Sequence, residues 1–278
     1  MTVVIPRRGT TIHVVVRLDA PLSHGAFGQN TGNAMMLRRV PVVSVEGIPS
    51  VPAVSGNALR GAMRRQIMRE LFEHVGLNRD TMEGRQWDRL YGSVANGGHL
   101  ESSETKADPQ RTREIREALP PVSLFGAAFF SWMLPGHMSV GWLWPRCRET
   151  VRAGLVSCGE DVEAETLVAE IGLVRHVDRE WQTPEVSGVT PMPTMVETMS
   201  TGTTLESNIT TMGEANEIET SCIAHGLDLL TGLGGKGGAG LGRVSITHDG
   251  DANAYREWLA ASQETAKAAL TKLAVSLK

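Results

Sequence analysis

The sequence is poor in cysteine, in lysine and in aromatic rings, and no long hydrophobic run crosses it. Its three cysteines, Cys147, Cys158 and Cys222, are odd in number and widely spaced, which argues against a disulfide scaffold and fits reduced thiols. Cys147, Cys158, His137 and His176 have no CxxC or HxxxH spacing, so no metal site is expected. The longest uncharged stretch, Leu119 to Pro145, is broken by Pro120, Pro121, Pro135, Gly126, Gly136 and Gly141. Strands and turns around a short buried segment are expected there, rather than a membrane span. The N-terminal MTVVIPRRGTT lacks the basic start, apolar run and small-residue cleavage site of a signal peptide, so a cytoplasmic protein is expected.

What is present is enough to fold. Of 278 residues, 41% are hydrophobic, which supports a core and excludes wholesale disorder. The formal net charge of −4 argues at first sight against a nucleic-acid partner, but it averages two unlike segments. Residues 1–70 hold nine arginines against Asp19, Glu46 and Glu70, a net +6, and the remaining 208 residues carry −10. Such asymmetry is the compositional footprint of an acidic partner. The basic residues are mostly arginine, since lysine occurs only at 106, 236, 267, 272 and 278. A guanidinium binds phosphate with a planar fork and stacks on bases, so the bias fits RNA or DNA, although a GC-rich genome gives the same bias.

Periodicity places the elements. Thr11 to Asp19 is β-branched and alternating, a strand; Pro21 to Gly32 is a loop; Leu37 to Glu46 is extended, with Pro41 favouring an edge. Ser55 to about His74 is the clearest helix, capped by Ser55 and striped by Leu59, Met63, Ile67 and Leu71, with Arg60, Arg64, Arg65 and Arg69 beside the stripe. Gly76 to Pro121 is polar and irregular, with one helix from about Pro109 to Leu119. A strand is expected over His137 to Trp144, and a long surface excursion over Arg146 to Thr190. Met195 to Ile209 alternates like a strand pair, Glu214 to Leu230 is an amphipathic helix, Val244 to His248 is a strand, and Ala252 to Leu277 is helical. This order describes an α+β sheet decorated by two excursions. Trp132, Trp142 and Trp144 sit in apolar surroundings and read as core, whereas Trp87 and Trp181 are better candidates for contact with a partner.

Two motifs carry chemistry. Gly232-x-Gly234-x-x-Gly237 matches the dinucleotide fingerprint only formally, because here a helix precedes the loop and a strand follows it. A Walker A loop fails too, since Gly237 follows Lys236 where Ser or Thr should bind magnesium. No cofactor is therefore expected. What survives is a flexible backbone surface with Lys236 and Arg243, suited to a polyanion or simply mobile. The second motif, V-P-A-V-S-G-N-A-L-R-G-A-M-R-R over Val51–Arg65, brings a helix N-terminus to Ser55 and puts Arg60 and Arg64 four residues apart, within reach of one phosphate track. An amphipathic helix with a solvated arginine face would look the same in isolation.

That motif closely resembles the I-P-G-S-S-L-R-G-A-L-R signature of the RAMP superfamily of CRISPR-associated proteins. The GLGGKGGAGLGRV loop resembles that superfamily's glycine-rich motif before its last core strand. Leu124-Phe-Gly126 and Glu197 to Ser207 resemble further landmarks of its backbone-subunit branch, in the expected order from about Thr11 to Ile246. Within the branch the chain is most similar to the type IV version, with the type I-D version close behind.

The resemblance implies a ferredoxin-like, RRM-like palm with inserted helical and hairpin (thumb) subdomains. The expected divisions are 1–75, the first half of the palm; 76–121, a helical insertion; 122–145, palm strands; 146–194, the thumb; 195–250, the second half of the palm with the glycine-rich loop; and 251–278, a C-terminal helix. It further implies copies of the chain in a filament along one crRNA guide, a target nucleic acid (DNA or RNA), and other CRISPR effector subunits as partners. Carried over, Ser55, Asn57, Arg60 and Arg64 would sit on guide phosphates, with Gly234, Gly235 and Lys236 closing the other side. Arg175, His176 and Arg179 would belong to the thumb, with Met192 and Met195 as possible wedges. His24, Asn30, Arg38, Arg39, Arg65 and Arg243 complete the expected RNA-binding set. Type III relatives cut target RNA with an Asp in the loop after the first strand. The loop from His24 to Arg39 has no Asp or Glu, and Asn30 and Asn33 stand there instead. An amide is no general base, so binding without catalysis is expected. Alternatives are a guide-dependent endoribonuclease, with His24 in acid–base chemistry, and a nucleotide-binding regulatory domain using the glycine-rich loop.

Overall fold

The computed structural model describes residues 9–25, 34–43, 47–100, 108–130, 132–159, 161–174, 193–213 and 215–277. Strand β1 (Thr11–Leu18) buries Ile12, Val14, Val16 and Leu18 and turns Thr11 and Arg17 outward, as its alternation requires. Short strands β2 (Ala34–Met35), β3 (Arg39–Pro41) and β4 (Ser50–Pro52) lead to helix α1 (Gly56–Val75). Leu59, Met63, Ile67 and Leu71 are fully buried along its expected stripe, and Gly76 ends it in the left-handed conformation with φ 67°.

The polar segment after Gly76 is more ordered than its composition suggests. It forms α2 (Gly84–Asn96), which buries Leu90, Val94 and Ala95. Trp87, expected to meet a partner, packs edge-on against Phe72 with ring centroids 4.9 Å apart. Helix α3 (Pro109–Ala118) starts where Asp108 accepts the Arg111 N–H and Pro109 needs no donor partner, followed by α4 (Pro120–Phe125). Next come the hairpin β5 (Ala127–Phe129) and β6 (Trp132–Leu134), then β7 (Met138–Val140) and β8 (Trp144–Pro145). The single strand expected over His137–Trp144 is thus two short ones. The surface excursion contains α5 (Arg148–Arg152) and β9 (Val168–Val174). The strand pair read from Met195 is β10 (Pro193–Met199) and β11 (Thr204–Thr211). They are followed by α6 (Glu217–Asp228), β12 (Val244–His248), α7 (Asn253–Ala261) and α8 (Gln263–Val275). The C-terminal helix is therefore broken at Ser262.

The largest sheet has the order β12–β1–β11–β7, antiparallel throughout, with β8 also pairing β11. Helix α1 lies between β1 and β7 in the chain, and α6 between β11 and β12. These helices pack against each other and over the buried side of the sheet, in one continuous core. A Cβ on Gly226 would stand 2.6 Å from Ile67 Cδ1, so a larger residue there would push the end of Ile67 aside where α6 meets α1. A second sheet, β2–β10–β9, and the β3–β4 and β5–β6 pairs complete an α+β fold. Among the described residues no helix is long and apolar enough to cross a membrane.

Candidate nucleic-acid interface

Two adjoining features surround the start of α1. The first is a corner built from backbone. The Leu22 N–H donates to Met199 O (2.9 Å), Gly235 N–H donates to Ser23 O (2.9 Å), and Arg38 N–H donates to His24 O (2.8 Å). This segment therefore runs between the glycine-rich loop and the chain before β3. His24 Nε2 accepts the Ser55 N–H at 3.2 Å, while the Ser55 side chain makes no capping bond. The imidazole thus takes the N-cap's own orphan N–H, a donor that the Ser55 hydroxyl does not serve. That acceptor role keeps His24 neutral with its proton on Nδ1. Burial first, and the Arg38 charge second, hold its pKa below the usual imidazole value.

The glycine-rich loop lies pinned on this corner rather than waving above it. Gly242 N–H donates to Pro21 O (2.8 Å) and the Asp19 N–H donates to Arg243 O (2.9 Å). Gly234 adopts φ 78°, and a Cβ there would stand 2.4 Å from Ser23 O, so the position admits only glycine. Lys236 is exposed in a left-handed conformation, φ 63°, and opens a 3₁₀ turn over Gly237–Ala239; the Arg243 side chain is exposed.

The second feature is a cleft of about 600 Å³ along α1. Asn57, Arg60, Gly61, Arg64 and Arg65 form one wall; residues 95–97 and 125–128 and the stretch from Met133 to Gly136 form the others. Three guanidiniums line it and, among the described residues, no carboxylate does. Arg60 Nη2 donates to Phe125 O (2.6 Å), Arg64 Nε donates to Val94 O (2.8 Å), and Arg64 Nη2 donates to Gly126 O. Burial first, and the neighbouring Arg60 charge second, lower the Arg64 pKa to about 10. Burial alone lowers that of Arg60. Uncompensated cations in a half-buried cleft make a site for an anion.

His24, Arg38, Ser55, Asn57, Arg60, Arg64, Arg65, Gly234, Gly235, Lys236 and Arg243 are thus grouped around the start of α1 and the loop beside it. Arg39 is committed elsewhere. Its Nη1 donates to Glu197 Oε2 at 2.8 Å, an ion pair joining β3 to β10, and Glu197 also accepts the Leu37 N–H. Met195 is half-exposed on β10, beside Gly172 of β9. Asn30, Arg175, His176 and Arg179, with Asn33, Trp181 and Met192, lie outside the described residues. Sequence reading missed the walls formed by the end of α2 and by Phe125–Gly136, although Leu124-Phe-Gly126 was visible as a landmark.

The fold and cleft together define an α+β protein whose principal sheet alternates with two helices and whose α1 lines an arginine-rich cleft. No family model matches the chain, and no curated protein matches it in sequence. Among solved structures, a chain of a type IV-B CRISPR complex superposes with a TM-score of 0.58 at 18% identity, over 86% of this chain and 90% of that one. Csc2 of Thermofilum pendens superposes with a TM-score of 0.43 at 17% identity, over 96% of this chain and 75% of that one. The chain folds like that chain of the type IV-B complex.

Proposed function

We propose that this chain is a non-catalytic backbone subunit of a CRISPR ribonucleoprotein, several copies of which line up along one guide RNA. The carrying observation is the cleft lined by three arginines and, among the described residues, by no carboxylate, on the helix whose N-cap N–H is tied through His24 and Ser23 to the glycine-rich loop. Guide phosphates would lie against Arg60, Arg65, Asn57 and Lys236, leaving bases to pair with a target nucleic acid and recognition of sequence to that pairing. In this reading the principal sheet and its two helices are a ferredoxin-like palm of the RRM type. Residues 76–121 are a helical insertion, and 146–194 the thumb, with Arg175, His176 and Arg179 on the RNA. Absence of cleavage rests on Asn30 and Asn33 standing where related nucleases carry an acid. Other subunits of the complex would meet the ends of the filament.

Purification of the full chain from its host tests this directly. RNA of defined length, sharing repeat-derived sequence, is expected to accompany the protein and to be released by high salt. Protein free of nucleic acid, or bound to RNA of random length and sequence, would overturn the reading.

A further inference from the structure

We infer that Arg64 is the positioning residue of the cleft rather than one of its phosphate ligands, leaving Arg60 and Arg65 to meet the anion. The inference rests on the reading that the cleft binds RNA. Two of the three guanidinium nitrogens of Arg64 donate to backbone carbonyls of the protein. Nε donates to Val94 O at 2.8 Å, Nη2 donates to Gly126 O, and Nη1 lies against Gly97, where a Cβ would stand 3.0 Å from it. The guanidinium carbon sits 5.8 Å from the centre of the Phe125 ring. Arg65, the next residue, is exposed on the same helix and lines the same cleft.

The three groups that Arg64 touches belong to the walls facing α1. Gly97 ends α2 with φ 97°, and its carbonyl accepts the Ala128 N–H at 2.8 Å, so the end of α2 and strand β5 move together. Gly126 is the turn from α4 into β5, with φ 64°; a Cβ there would stand 2.5 Å from Leu134 O and from Gly136 N. Holding its carbonyl fixes the direction in which the β5–β6 hairpin leaves. One fork thus ties α1 to α2 and to the hairpin, and sets the width of the cleft. A lysine is a single point donor and cannot reproduce a fork spread over two carbonyls.

The test uses the full chain and a labelled single-stranded RNA, with affinity measured across a salt series. Arg65→Gln is expected to lower the slope of log affinity against log salt by about 0.7, the loss of one phosphate contact on a single strand. Arg64→Gln and Arg64→Lys are both expected to weaken binding by about tenfold at every salt concentration, with the slope unchanged. Amide exchange should quicken at 97–99 and 126–134 in both variants. Arg64→Lys, which keeps a cation on a stem of similar length, covers the case in which Arg64→Gln fails to fold. Restoration of affinity by Arg64→Lys, with a slope reduced by about 0.7 in Arg64→Gln, would make Arg64 a phosphate ligand and overturn the inference. Should the unaltered protein bind no RNA, the functional reading fails, and exchange at the two walls in Arg64→Lys still decides whether Arg64 holds them.

Discussion

Replacing Arg60 and Arg65 together by alanine is expected to weaken binding of single-stranded RNA by about two to four orders of magnitude. The size follows from what is removed. A hydrogen bond to a charged group contributes about 1.5–3 kcal/mol, two are lost, and each 1.4 kcal/mol is a factor of about ten. The salt slope should fall by about 1.4, the release of two fewer counterions from a single strand. Arg60 also donates to Phe125 O at 2.6 Å, so its truncation leaves a carbonyl unpaired and lowers stability slightly; Arg65→Ala alone removes that complication. Arg69 is a control on the same helix. It donates to Gln66 Oε1 at 2.9 Å and lies away from the cleft, so Arg69→Ala should leave affinity nearly unchanged. A folded double variant with the original affinity and slope would remove α1 from the interface.

Gly56→Val should produce the largest loss of stability of any single change in the Val51–Arg65 motif. A Cβ at residue 56 would stand 2.1 Å from Val140 O and 2.7 Å from Gly141 O, backbone atoms at the end of β7. That strand cannot retreat, because β7 pairs with β11 on its other side and Leu143 exchanges hydrogen bonds with Val54 at 2.9 and 3.2 Å. Overpacking of this kind costs about 3 kcal/mol or more, which for a chain of this size lowers the melting temperature by about 6–12 °C. RNA binding should go with it, since Ser55 and Asn57 flank the displaced residue. Gly61→Ala gives the contrast. Its Cβ would approach only the mobile end of Arg65, at 3.3 Å, and alanine in a helix interior gains about 0.5–1 kcal/mol over glycine. Equal melting temperatures for Gly56→Val and the parent would contradict the packing of α1 on β7.

The elements legible in the sequence are those whose burial is decided locally. In β1 every second residue is apolar, and α1 repeats an apolar residue every four, so one periodicity fits each. Helix α3 announces itself through Asp108-Pro109. Helix α2 does not, because it is rich in polar residues, contains Gly92, and is covered on one side by α8, far away in the chain. The surface strand β9 pairs with β10 across a long insertion, which no local pattern encodes.

The site divides in the same way. That Arg60 and Arg64 share a helix face follows from their spacing. That carbonyls 65, 62 and 30 residues distant take up their forks does not, and neither does the reach of His24 to the Ser55 N–H, 31 residues on. The charge distribution pointed to residues 1–70, the segment that supplies α1 and the arginines of the cleft. Which of its arginines hold the protein together is decided by tertiary contacts alone.

The central claim is that copies of the chain count along RNA, and the mass of the complex formed on single-stranded RNAs of increasing length measures it. Mass is expected to rise in steps of one protomer at regular increments of length, with the steps lost in the Arg60→Ala, Arg65→Ala double variant. A complex that holds one protomer whatever the length of the RNA would contradict the account.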